Sequence, residues 1–151
     1  METRLALGHV HIKVRELDRA VAFYIEHLDL EVAERYDRFA FLSWGRRHHD
    51  VALQALGPDA TAPGDGVGLY HVAFEVDGED ALRSVYRGLR EAGVRTSPVD
   101  HGISKALYFS DPDGNGIEVY VDTRSDADED WRGVSLPFDP EESGDAEPLG
   151  E

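Results

Sequence analysis

The sequence predicts an α+β fold of two tandem βαβββ modules forming a curved mixed sheet around a cleft, followed by an irregular acidic tail. Three observations carry this. The segments GHVHIKV and YHVAFEV repeat one pattern of His and alternating aliphatic residues, and each leads into a stretch of helical periodicity. Each of those stretches is followed by three short β-type runs separated by Gly, Pro and Asp. Beyond Val121 the aliphatic residues thin out and acid, Pro and Gly take over.

In the first module, Leu7 to Val14 alternates, with Val10, Ile12 and Val14 on one face and His9, His11 and Lys13 on the other, as in a strand packed on one side. LDRAVAFYIEHL places Leu17, Val21, Tyr24 and Leu28 at helical spacing, with Asp18 as a candidate cap. Strands are expected over Leu30 to Tyr36, Phe39 to Trp44 and Asp50 to Leu56, and GPDATAPGDGVG reads as a loop. The module therefore spans residues 5 to 57 or so.

The second module, about 68 to 122, repeats the order. Gly68 to Val76 is a strand, and Asp77 to Ala92 is a helix carrying Leu82, Val85, Tyr86 and Leu89 and closed by Gly93. Strands near Ser97 to Asp100, Lys105 to Ser110 and Gly116 to Val121 complete it. Residues 1 to 122 thus read as one domain. The stretch 123 to 140 is expected to be irregular, with Trp131, Leu136 and Phe138 to anchor it, and 141 to 151 is expected to be disordered.

A chain of 151 residues suffices for one domain with a real core. Its formal charge of -16, from 31 acidic against 15 basic residues, argues against nucleic-acid partners and against binding to anionic membranes. Lys13 and Lys105 are the only lysines, so the acidic, Lys-poor composition fits either a high-salt cytoplasm or a GC-rich genome. With no cysteine, disulfides, thiolate nucleophiles and zinc-thiolate sites are excluded. No export pattern or apolar run long enough for a membrane helix is present, so a cytoplasmic location is expected.

The chemistry concentrates in three residues. His9, His71 and Glu118 each lie in an apolar strand pattern whose alternation turns them away from the aliphatic face, and the repeat puts His9 and His71 at equivalent positions. Two imidazoles and a carboxylate can bind a divalent metal and leave positions open. That donor set is the facial triad of non-haem Fe(II) oxygenases, and Mn(II), Ni(II) or Zn(II) suit it by donor type. A lone His on a strand is more often a surface or hydrogen-bonded residue, but three donors at matching positions favour a shared site.

From residue 5 to 122 the chain resembles the vicinal oxygen chelate superfamily of glyoxalase I, fosfomycin and bleomycin resistance proteins and type I extradiol dioxygenases. VDHGISKALYFSDPDGNGIE resembles the C-terminal motif of the extradiol ring-cleaving enzymes, and HHDVAL the segment that carries their active-site His. The resemblance implies that His9, His71 and Glu118 bind iron, that His49 is the acid-base residue with His48 its competitor, and that His101 and Tyr108 flank the metal. It implies an Fe(II) dioxygenase acting on a small aromatic diol and O2, and a homodimer. The ordinary readings are an exposed basic turn for His48 and His49 and a half-buried β-former for Tyr108. His11 ranks below these residues, His27 reads as a partner of the helix dipole, and Asp111, Asp113, Gly114 and Asn115 read as turn formers.

Two other classes compete. A glyoxalase-type isomerase or antibiotic-modifying metalloenzyme would draw a second carboxylate from the last strand of module one, but DVALQAL offers only Gln54 beyond Asp50. A metal-free drug-sequestering protein would have no need for the full ligand set.

Overall fold

The computed structural model describes residues 3–142, and both βαβββ modules are present, each forming its own mixed sheet. The first contains β1 (Val10–Val14), α1 (Leu17–Leu28), β2 (Glu31–Tyr36), β3 (Phe39–Ser43) and β4 (Val51–Ala55), in the sheet order β1-β4-β3-β2. β1 runs parallel to β4 with Val10 opposite Val51 and Ile12 opposite Leu53. One face of this sheet buries Val14, Ala40, Leu42, Val51 and Leu53, and α1 supplies Leu17, Ala20, Val21, Tyr24 and Leu28 to the same core. The other face carries His11, Lys13, Ala52, Gln54, Phe39 and Phe41, as the register of the three strands requires.

Asp18 does not cap α1. The N-cap is Glu16, which makes no side-chain cap bond, and Asp18 lies in the first turn, where a carboxylate still favours the positive end of the helix dipole.

The second module contains β5 (Val72–Glu75), α2 (Glu79–Glu91), β6 (Ser97–Asp100), β7 (Ser104–Ser110) and β8 (Gly116–Asp122), and its sheet order is β5-β8-β7-β6-β9. β5 pairs in parallel with β8, and Leu82, Leu89, Leu107, Ile117 and Val119 form its buried side. Gly93 follows α2 with φ of 72°, a left-handed turn residue that stops the helix where expected.

The tail is more ordered than its composition indicates. Leu136–Pro137 forms β9, antiparallel to β6, and adds a fifth strand to the second sheet. Trp131 and Leu136 stay largely exposed, whereas Phe138 is half-buried with Lys105 Nζ 5.7 Å from its ring centroid; further attachment comes from buried Pro140, whose carbonyl accepts from Arg83 Nε at 2.9 Å, and from the Arg87–Glu141 ion pair at 2.8 Å. Residues 143–151, where a disordered end is expected, lie outside the described residues.

The chain divides into two compact units. The first is residues 1–70 with the turn 110–115, and the second is 71–109 with 116 onward. Among the described residues no helix is long and apolar enough to cross a membrane.

Candidate functional site

In the second unit, His71 stands immediately before β5, and Ala73 pairs with Glu118 on β8, so alternation turns His71 and Glu118 to the same face. Their side chains meet, with His71 Nε2 2.8 Å from Glu118 Oε2. This suits a divalent metal. Two adjacent donors, each about 2.1 Å from one octahedral ion, are roughly 3 Å apart, and imidazole nitrogen with carboxylate oxygen is a common donor pair for first-row ions.

Tyr108, on β7, sets its ring edge-on to His71 with centroids 5.6 Å apart. Its hydroxyl lies 2.8 Å from His101 Nε2. His101 follows β6 in a tight turn in which Gly102 takes φ of 79° and the His101 amide donates to the Ser104 carbonyl. Beside it opens a cavity of about 500 Å³ lined by His101, Ile103, Arg132 and Val134 and by Asp126, Asp128, Glu129 and Asp130. The second unit therefore brings together His71, Glu118, Tyr108 and His101, all assigned to one site in the sequence.

In the first unit, His9 precedes β1 and its ring lies 4.4 Å from that of His49, which precedes β4. His49 also packs edge-on to Phe41 at 5.0 Å. His48 is more exposed; its Nδ1 lies 3.0 Å from His49 Nδ1 and its Nε2 3.0 Å from Glu34 Oε2. Partial burial holds the His49 imidazole below its usual pKa, with repulsion from His9 and His48 adding to the effect and Asp50 opposing it. The neutral ring is then favoured, and a neutral ring keeps a lone pair for a proton. His11 turns to Phe39, 6.1 Å away, and His27 is buried against Phe23 in the last turn of α1. Among the described residues, no group of three or more His, Cys, Asp or Glu side chains is placed to hold a metal ion, so the structure pairs His71 with Glu118 and His9 with His49.

Sequence reasoning missed two sets of residues. Asp111 and Asp113 are more than turn formers. Asp111 Oδ2 accepts from the buried Tyr24 hydroxyl at 2.9 Å, and the buried Asp113 carboxylate pairs with Arg15 at 3.1 Å and Arg19 at 2.8 Å. Burial, then the charge and hydrogen bond of Asp111, push the Tyr24 phenol far above its usual pKa, so it stays protonated and donates. The acidic residues of DPDGNG were the visible signal, but nothing local names their partners. The second set is Val134 and Ser135 in the tail: the Val134 carbonyl and Ser135 Oγ each lie 3.1 Å from His101 Nδ1. A backbone carbonyl and a single serine hydroxyl leave no sequence signature.

The family model described as Glyoxalase/Bleomycin resistance protein/Dioxygenase superfamily matches residues 6–119. The chain is 34% identical to a catechol-2,3-dioxygenase of Bacillus subtilis (strain 168), over 77% of this chain and 41% of that protein. It is 31% identical to biphenyl-2,3-diol 1,2-dioxygenase 2 of Rhodococcus globerulus, over 81% of this chain and 65% of that one. The chain thus spans less than two thirds of the length of these relatives. Matches at 27–30% identity extend to a glutathione transferase FosA of Serratia marcescens, a metallothiol transferase FosB of Staphylococcus epidermidis and a probable lactoylglutathione lyase of Synechocystis. The crystal structure of a glyoxylase/bleomycin resistance protein/dioxygenase domain from Frankia sp. EAN1pec shares the fold, with a TM-score of 0.71 at 24% identity, covering 82% of this chain and 96% of that one.

Proposed function

Because the chain belongs to the Glyoxalase/Bleomycin resistance protein/Dioxygenase superfamily, we propose that it is an Fe(II)-dependent extradiol dioxygenase that opens the ring of a catechol-type diol with O2. The observation that carries this reading is the constellation of the second unit, where the His71–Glu118 donor pair is edged by a tyrosine hydrogen-bonded to a histidine. A donor pair alone would serve many metal reactions. The tyrosine and histidine add what a diol substrate needs, a hydroxyl and an imidazole at the edge of the donors. The named dioxygenase relatives support the same choice.

In this reading His71 and Glu118 would hold the metal with His9 as third donor, and Fe(II) when bound would supply a Lewis acid that favours the ionised diol. The chain's own groups then manage the protons. His49, its neutral form favoured, takes a proton from a diol hydroxyl and returns one to an oxygen of the opened product. Tyr108 hydrogen-bonds a substrate oxygen, and His101 fixes the tyrosine hydroxyl through Nε2. Phe41, edge-on to His49 and stacked on Phe39, gives that imidazole an apolar neighbour.

The test is anaerobic reconstitution with Fe(II), followed by oxygen uptake and product absorbance on a panel that includes catechol and biphenyl-2,3-diol. Stoichiometric uptake with appearance of a ring-opened chromophore is expected. Iron binding without uptake across the panel would transfer the assignment to the second reading, thiol transfer to a small electrophile, which the thiol-transferase matches favour and which glutathione consumption would detect.

A further inference from the structure

We propose that the tail segment 131–135 is a tautomer clamp on His101, and that through it the tail decides whether Tyr108 offers an acceptor or a donor to a ligand. A backbone carbonyl can only accept. The 3.1 Å contact between His101 Nδ1 and the Val134 carbonyl therefore places a hydrogen on Nδ1. The same carbonyl also accepts from the Trp131 indole N–H at 2.8 Å, and the Trp131 ring stands edge-on to His101 at 6.3 Å. Ser135 Oγ, also 3.1 Å from Nδ1, can accept that hydrogen too.

A neutral imidazole carries one N–H. With it on Nδ1, Nε2 is a lone pair, and the Tyr108 hydroxyl 2.8 Å away must donate to it. The Tyr108 oxygen then presents lone pairs, and it selects a ligand group with a hydrogen to give, such as the un-ionised hydroxyl of a diol. Were the hydrogen on Nε2, His101 would donate to Tyr108, and the tyrosine O–H would turn outward to favour an anionic oxygen. Trp131 and Ser135 are positioning residues in this scheme, acting through His101. The ligand clause rests on the proposed diol chemistry; the tautomer clause does not.

The clamp can be read in the metal-free full chain by long-range proton–nitrogen NMR of 15N-histidine protein at alkaline pH. His101→Gln assigns the signals. The parent should show a protonated Nδ1 and a pyridine-like Nε2. Trp131→Ala combined with Ser135→Ala changes two exposed side chains, so the core is spared, and should shift the tautomer ratio by several-fold, the scale of losing one ordinary hydrogen bond. Tyr108→Phe should leave Nδ1 protonated. An Nε2-protonated parent, an unchanged ratio in the tail variant, or a switch caused by Tyr108→Phe instead of the tail change would each overturn the clamp. Because the readout uses neither iron nor oxygen, failure of the dioxygenase reading would show separately, in the uptake assay.

Discussion

Asp111→Ala removes four hydrogen bonds at one stroke: those from the Tyr24 hydroxyl, from the Asp113 and Asn115 amides, and from the Asn115 side chain. The costs differ by burial. Tyr24 is 0% exposed, so its hydroxyl would be left without water or partner, at about 1–3 kcal/mol. Of the three turn donors, the two of Asn115 lie nearer the surface and the Asp113 amide is buried but stays close to other acceptors of the turn, and each loses roughly 0.5–1 kcal/mol net. The sum is about 2.5–6 kcal/mol, or a fall in Tm of roughly 5–24 °C for a chain of this size. Tyr24→Phe should cost only about 1 kcal/mol, since Asp111 keeps its other three donors. In the double variant the orphaned hydroxyl is gone, so the two changes should be non-additive by about 1–3 kcal/mol. Urea unfolding with unchanged m values is the assay. There is also a pH signature. The Tyr24 phenol is raised in the folded state, so above the unfolded tyrosine value of about 10 the folded chain retains a proton that the unfolded chain loses, and stability falls as pH rises. Tyr24→Phe should lack that component of the alkaline decline. An Asp111→Ala protein within about 0.5 kcal/mol of the parent, or strictly additive variants, would refute the reasoning.

Metal affinity, measured by calorimetry with Fe(II) or Mn(II), should fall at least 10-fold in Glu118→Ala and in His71→Ala, and His9→Ala should match them if it is the third donor; retention of stoichiometric metal by all three would end the facial-triad reading. His49→Gln should keep metal and substrate binding and lose turnover by roughly 10²-fold or more, whereas His48→Gln, which breaks the exposed contact to Glu34, should lose less than about 10-fold; the opposite ranking in steady-state rates would move the acid-base role to His48. Deleting 143–151 should leave Tm and metal affinity nearly unchanged, while ending the chain at Asp122 should lower Tm by several degrees, because it removes β9, the Arg83–Pro140 bond and the Arg87–Glu141 pair; equal Tm values for the two truncations would contradict the attachment described.

Much of the site was legible because its signals are local. His71 and Glu118 could be assigned to one face from period-2 alternation, and the parallel register of β5 with β8 follows the same alternation in both segments. Tyr108 could be separated from Leu107 and Phe109 on the same ground, and these two are buried while Tyr108 is half-exposed. His48 and His49 were harder, because RRHHD lies outside any periodic segment; only the tertiary neighbours distinguish them, His9 and Phe41 around His49 against Glu34 for His48. In the tail, the stretch expected to be irregular holds one two-residue strand, and Glu141, expected to be disordered, is placed by Arg87. Polar, Pro-containing sequence signals little burial, yet two residues of backbone pairing and two arginines on α2 suffice to attach it.

By itself the sequence determined the two modules, their strand and helix order and the chemical types of the site residues, since strand alternation and helical spacing are properties of adjacent residues. Which partners meet was decided only in the folded chain. Tyr24 finds Asp111 across 87 residues, Arg19 finds Asp113 across 94, and the His101 ring is oriented by a carbonyl 33 residues away. The physical reason is that a hydrogen bond depends on distance and direction in space, to which a buried hydroxyl or a backbone carbonyl contributes no local pattern.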